Sequence, residues 1–389
     1  MLDKILLAPY WLTLKIRHAL YDKGVWKSHS AEVPTICIGN LAAGGTGKTP
    51  HTEMILKTLR ENREWSDSHI AVLSRGHRRK SRGFQQVTAD GTATFYGDEP
   101  LQIKKNFPEV TVAVDRNRLQ GCRYLCHPEL LRTDRKARRC ADKDFAPTDL
   151  IILDDAFQHR SLKASMSILL VDWNRPVNKD MLLPLGRLRD LPERLEKADI
   201  IISTKCPEYV EDWEKLHWTK SIGIDGFDPR TCTGHFKNGR AVKVFFTKIV
   251  YCEPQPVFPE AGDTRYVYSK KLILFSGIAK DTPLRRFLSD KYQIIKRFSF
   301  PDHHKFTKMD IANIMAASNA QPTAIVATTE KDSQRVLDCK SIPEALMQRL
   351  FQIPIKVVFL SSEEETLFKI HLYERLREFR SASGRKPHE

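Results

Sequence analysis

Short apolar runs punctuate the first half of the chain: "TICIGN" at 35, "HIAVLS" at 69, "VTVAV" at 110, "DLIILDD" at 149, "SILLVD" at 167 and "ADIIIST" at 198. Most are apolar throughout rather than alternating, as expected of parallel strands covered on both faces. The longer intervals have room for crossover helices. The pattern predicts an α/β fold, a doubly wound domain over 29–240. After Arg240 the rhythm changes: "AVKVFFTKIVYCEPQPVFPEAGDTRYVYSKK" holds alternating, aromatic, strand-like pieces interrupted by Pro254, Pro256 and Pro259. It reads as an interdomain linker over 241–270. From Lys271 apolar runs return in "KLILFSGIA", "QIIKRFSF", "TAIVATT" and "IPIKVVFL", predicting a smaller C-terminal α/β domain over 271–380. The polar tail 381–389 is expected to fray.

Residues 1–28 begin "MLDKILLAPYWLTLKIRHALYD". The longest uncharged run, Ile5 to Leu14, is far short of the ~20 residues that span a bilayer. Asp3, Lys15 and Arg17 also argue against a secretory signal, so a cytoplasmic location is expected. At helical spacing Lys4, Lys15, His18 and Asp22 share one sector, while Leu2, Ile5, Leu6, Leu12, Leu14, Ile16 and Leu20 cover most of the rest. Such a helix either packs on the domain or lies in a membrane interface.

The first strand leads into chemistry. In "VPTICIGNLAAGGTGKTPHTEMILKTL", Val33 to Leu59, an apolar strand is followed by a glycine-rich loop and an amphipathic run. Backbone N–H groups of Ala42, Ala43, Gly44, Gly45, Thr46, Gly47, Lys48 and Thr49 are the candidate nucleotide cradle, helped by the positive end of the following helix. Lys48 would reach the terminal phosphates, and the Thr49 hydroxyl would hold Mg²⁺. Ala42 stands where the strict P-loop spacing has glycine. "LIILDDAFQH" supplies Asp154 and Asp155 at a strand tip, where a P-loop site needs a metal-side carboxylate. A guanine-specific loop would carry an acid where "IISTKCP" has Pro207 after Thr204 and Lys205, which favours ATP over GTP.

Lys plus Arg exceed Asp plus Glu by 63 to 48, giving a net charge of +15 and an expected anionic partner. The basic clusters "RGHRRKSR" and "RTDRKARR" lack the interleaved aromatics of single-strand binders, so nucleic acid is not expected. The eight cysteines are scattered without metal or redox spacing, consistent with a reducing compartment.

Read in order, "GNLAAGGTGKTP", "LSRGHRRKSRG", "YGDEP", "VDRNR", "IILDDAFQHR", "LLPLGRLRD", "FSGIA", "FPDHHKF" and "TTEKD" resemble the tetraacyldisaccharide 4′-kinase family, the lipid A 4′-kinases of Gram-negative bacteria. The resemblance runs from about residue 2 to about residue 370. Departures are His77 for Tyr, Ala156 for Gly and Asp190 for Glu. The resemblance implies transfer of the ATP γ-phosphoryl group to the 4′-hydroxyl of a tetraacylated glucosamine disaccharide 1-phosphate, yielding lipid IVA. It implies a monotopic protein at the cytoplasmic face of the inner membrane, with no obligate protein partner inferred. It nominates Asp155 paired with His303 as the base assembled by domain closure. Asp154, Thr49 and Asp190 become Mg²⁺ candidates, Arg189 a γ-phosphate contact, and Asp98 of "GDEP" a member of the phosphate site.

Overall fold

Strands buried on both faces demand cover on both sides, and the principal sheet has it. The computed structural model describes residues 2–383 except positions 138, 141, 340 and 341. Of the expected frayed tail, positions 384–389 lie outside the described residues. The chain opens with helix α1 (Leu2–Asp22), followed by β1 (Thr35–Asn40), α2 (Lys48–Arg60), β2 (Ile70–Ser74), α3 (Asp98–Asn106) and β3 (Thr111–Val114). It continues through β4 (Leu150–Asp154), β5 (Met166–Asp172), β6 (Ile200–Thr204) and the long β7 (Ala241–Tyr251). These strands lie in the order β7-β6-β5-β1-β4-β2-β3, all parallel. Side chains alternate between two cores: Ile36 and Ile38 of β1 join Ile152, Ile168 and Ile202 on one face, and Cys37 joins Leu153, Leu169 and Ile201 on the other. Period-2 geometry with both faces covered explains the unbroken apolar runs. Cys37 is therefore inert packing, its thiol pushed up to about 12 by burial.

The second unit carries β8 (Lys271–Ser276), β9 (Gln293–Ser299), β10 (Ile325–Thr329), α4 (Glu330–Val336) and β11 (Leu350–Ile353). Its sheet order is β11-β10-β8-β9, parallel, with Gln255–Pro256 added antiparallel on β11. Then β12 (Ile355–Phe359) and α5 (Ser362–Ser383) close the described chain.

The strand-like connection over 241–270 is itself part of the sheets: Lys243 to Phe246 of β7 pair with β6, and Thr247 to Tyr251 pair with β12. One continuous strand thus leaves the main sheet toward the second unit, and β12 brings the chain back. The helix assigned to the C-terminal domain also returns. Phe368, Leu372 and Leu376 of α5 sit in the main-sheet core, with Phe368 edge-on to Phe245 at 5.4 Å. Tyr373 donates its hydroxyl hydrogen to the Thr58 carbonyl at 2.9 Å, and Arg380 stacks 3.5 Å over Trp65. An amphipathic helix announces that it has a buried face but not which sheet covers it. Burying each large apolar side chain there contributes roughly 1.5–3 kcal/mol, which ties the chain's end to its beginning.

Helix α1 also departs from the usual amphipathic arrangement. Its polar sector faces the protein: His18 meets Asp190 at 2.6 Å, Asp22 meets Arg160 at 2.6 Å, and Lys15 meets Glu193 at 3.1 Å. Trp11, Leu12 and Ile16 face outward, 45%, 52% and 52% exposed. No helix among the described residues is long and apolar enough to cross a membrane.

Candidate active site

The loop after β1 sits at the carboxyl ends of the strands, where β1 has β4 on one side and β5 on the other, the usual ligand position in open α/β sheets. Gly44 and Gly47 have φ of 109° and 87°, a region that side chains with a Cβ seldom occupy. Gly47 is the residue from which α2 starts, with no side chain capping it, so the first-turn N–H groups are open to an anion. The loop is braced from three directions. Asn40 donates from Nδ2 to Thr46 Oγ1 at 2.8 Å, Ala43 N–H donates to the Arg187 carbonyl at 2.6 Å, and Lys205 donates to the Gly45 carbonyl at 2.5 Å. Lys205, two residues before the Pro207 that spoke against guanine, is also paired with Asp172 at 2.8 Å.

The adjacent acids at the tip of β4 have separate surroundings. Asp155 adopts φ 50° and turns toward cations, with Arg189 at 2.8 Å and Lys48 at 3.8 Å. Burial pushes its carboxyl up, but the Arg189 hydrogen bond and the Lys48 charge outweigh that and hold it below the ordinary value. Arg189 donates to Asn40 Oδ1 as well, so the guanidinium joins strand tip and loop. Asp154 points inward and accepts from Ser74 Oγ at 3.2 Å. Burial, with the nearby Glu99 and Asp155 charges, pushes it up to about 7. Its Oδ1 is buried with no hydrogen-bond partner. A buried carboxylate with one open oxygen, close to Lys48 and to the phosphate loop, fits a divalent cation, and the hydroxyl of buried Thr49 is the natural companion ligand.

Asp190 is elsewhere. It is fully buried, its Oδ1 engaged by His18 of α1 and the Leu191 N–H. The bridge between Ala42 and Leu188 brings this segment alongside the loop. Successive side chains then diverge: Arg189 turns to Asn40 and Asp155, Asp190 to α1. Its contacts fasten the N-terminal helix, while its Oδ2, like Oδ1 of Asp154, is buried with no hydrogen-bond partner.

The expected Asp155–His303 contact is also absent from the hydrogen bonds of the described residues. His303 lies in the loop after β9 with φ 62°, and its Nδ1 is 3.2 Å from Oδ2 of Asp98 at the start of α3. Asp155 is instead occupied by Arg189 and Lys48, its own unit's cations. Asp98 is buried, and Arg335 of α4 donates to it from Nη2 at 2.5 Å and from Nε at 3.0 Å. Lys331 stands 3.9 Å away. Burial favours the neutral acid, but the His303 hydrogen bond and the two cations hold Asp98 well below the usual carboxylate range. A cavity of about 230 Å³, lined among others by His77, Arg78, Asp98, His303, Lys305 and Arg335, opens onto this pair between the two units.

Arg335 and Ser74 carry parts of the geometry that sequence reasoning did not assign. Arg335 had a legible signal: it follows Lys331 of "TTEKD" by four residues, hence on the same helix face. Among the described residues no group of three or more His, Cys, Asp or Glu forms a metal cluster.

The profile of the tetraacyldisaccharide-1-P 4′-kinase family matches residues 4–373. The chain is 34% identical over 369 residues to the tetraacyldisaccharide 4′-kinase of Phocaeicola vulgatus, covering 93% of this chain and 91% of that protein. It is 34% identical over 368 residues to the protein of the same name from Porphyromonas gingivalis, covering 93% of each. Among solved structures, the crystal structure of LpxK from Aquifex aeolicus in complex with ATP superposes with a TM-score of 0.63 at 24% identity, covering 97% of this chain and all of that one.

Proposed function

The chain belongs to the tetraacyldisaccharide-1-P 4′-kinase family, and from that premise we propose that it moves the γ-phosphoryl group of ATP to the 4′-hydroxyl of a tetraacylated glucosamine disaccharide 1-phosphate. The single observation that carries the reading is the geometry of the cleft. An open phosphate cradle backed by Lys48 and Arg189 lies in the first unit, and a histidine–carboxylate pair lies between the units.

The cradle N–H groups and Lys48 would hold the donor phosphates, and Arg189 would meet charge developing on the transferred group. Thr49 and Asp154 are the residues that would hold Mg²⁺, which supplies neutralisation of donor phosphate charge when bound. At the acceptor side the hydroxyl must lose its proton as the new bond forms. With Nδ1–H of His303 donating to Asp98, Nε2 is left with a lone pair to take that proton. The sugar oxygen bonds to the γ-phosphorus, the bond from phosphorus to the β–γ bridging oxygen breaks, and ADP leaves. Asp98, held as an anion, orients the imidazole and faces the charge it acquires.

The lipid acceptor also requires approach to a bilayer. Helix α1, with polar groups turned inward and Trp11, Leu12 and Ile16 outward, suits a monotopic contact on the ATP-containing cytoplasmic side. The test is product mass. ATP, Mg²⁺ and the acylated disaccharide should give a lipid heavier by one phosphoryl group. ATP hydrolysis stimulated by nucleic acid, with no phosphorylated lipid, would overturn the reading.

A further inference from the structure

We propose that Arg335 is a positioning residue for phosphoryl transfer: it fixes the Asp98 carboxylate beside His303 and thereby tunes how readily that pair takes the acceptor's proton. The inference rests on the Asp98–His303 reading above and extends it to a side chain with no assigned role.

The guanidinium is set before it meets its target. Within the second unit Nη1 donates to Asp332 Oδ1 at 2.8 Å and to the Gly277 carbonyl at 3.2 Å. Asp332 is itself fixed, accepting from Thr329 Oγ1 at 2.7 Å and from the Gly277 N–H at 2.9 Å. The remaining N–H groups cross to the first unit, where Nε and Nη2 reach the same Asp98 oxygen that meets His303. Nη2 also lies 3.3 Å from His303 Nδ1. Three N–H groups from two side chains therefore share one carboxylate oxygen, and a permanent cation stands beside a ring that must become cationic. Arg335 locks the orientation of Asp98 and at the same time opposes charge on the imidazole.

Other charged and titratable groups face the pair less closely. From the first unit these are Glu99, held by Lys331 at 3.1 Å, and His77, whose ring centroid is 5.6 Å from that of His303. From the second they are Lys331, 3.9 Å from Asp98, and Asp302, 3.8 Å from His303 Nε2. Arg335 touches both members and is buried.

The experiment is the pH dependence of kcat/KM for the lipid in wild-type, Arg335→Gln and Arg335→Lys enzymes, with Asp332→Asn as a second route that loosens Arg335 without altering Asp98. Removing the cation favours the imidazolium, so the acid limb of Arg335→Gln should move upward by about one pH unit, with a ~10-fold or greater loss at neutral pH. Arg335→Lys should keep the limb close to wild type while losing rate, because the charge stays and the two-point contact goes. Asp332→Asn should shift the limb in the same direction by less. The KM for ATP should be unchanged throughout. An acid limb that stays put in Arg335→Gln and Asp332→Asn overturns the proposal. Asp98→Asn and His303→Ala are measured alongside. Near-wild-type turnover in those two would sink the pair itself, whereas their collapse with an unmoved Arg335→Gln limb would sink only the role of Arg335.

Discussion

The two sides of the cleft are built in opposite ways. The donor side, with Lys48, Thr49, Asp154, Asp155 and Arg189, comes from one sheet and its loops, so its members are fixed within a single unit. The acceptor side is shared: Asp98 belongs to the first unit and His303, Lys331 and Arg335 to the second. A site made within one unit is set when that unit folds. A site made between units exists only while the units meet, so its integrity should depend on the hinge and the interface as well as on its own residues.

The first way to break this contrast is at the donor side. Lys48→Ala should lower kcat by more than ~10²-fold while leaving the fold intact, because charge on the transferred group loses its nearest ammonium. A kcat near wild type, with circular dichroism unchanged, would remove the loop from the account.

The same contrast explains what the sequence disclosed. The loop, the paired acids and the doubly wound sheet were legible because each is a local pattern: glycines before Lys-Thr, acids after four apolar residues, strands apolar on both faces. His303 and Asp98 were also picked out individually. Their partnership was not, because 205 residues separate them and no periodicity encodes a contact between units. The Asp155–His303 pairing, expected on domain closure, is not among the contacts of the described residues, where Asp155 finds its cations inside its own unit. The contact of Asp190 with α1 was equally illegible, since alternation beside Arg189 sends the two side chains to opposite sides. The return of α5 to the first core and the division of β7 between two partners are likewise long-range facts. A hydrophobic stripe reports burial, not the identity of the cover.

A second test sharpens the contrast from the substrate side. Replacing Trp11, Leu12 and Ile16 together by Ser removes the outward apolar face of α1 and leaves His18 on Asp190. The apparent KM for lipid should rise about 10-fold, as expected when apolar anchoring is lost, while the KM for ATP stays constant. Vesicle flotation should fall in parallel. Equal flotation and an unchanged lipid KM would make α1 a packing element alone.

A smaller effect concerns the interface itself. Asn106 of α3 donates to Glu53 of α2 at 3.1 Å and to Glu330 of α4 at 2.7 Å, bringing two acids together across the units. Burial and the Glu330 charge push Glu53 up to about 8 from an ordinary 4.5. Its folded value lies above its unfolded one, so the stability it contributes is complete below about 4.5 and is lost as pH rises toward about 8. Thermal unfolding should show stability falling through that window in the wild type, and Glu53→Gln should flatten the fall. Parallel curves for the two proteins would mean that the carboxyls do not burden the interface.

The most direct test of a shared acceptor side is a pair of double-mutant cycles on kcat/KM for the lipid. One combines Asp98→Asn with His303→Ala, the other Asp155→Asn with His303→Ala. If Asp98 and His303 act as one proton acceptor across the units, each single change costs ~10²-fold or more and the double mutant loses far less than the product of the two. The Asp155 cycle should multiply, because Asp155 works with Lys48 and Arg189 on the donor. Multiplicative losses in the Asp98 cycle, with strong coupling between Asp155 and His303 instead, would contradict the account.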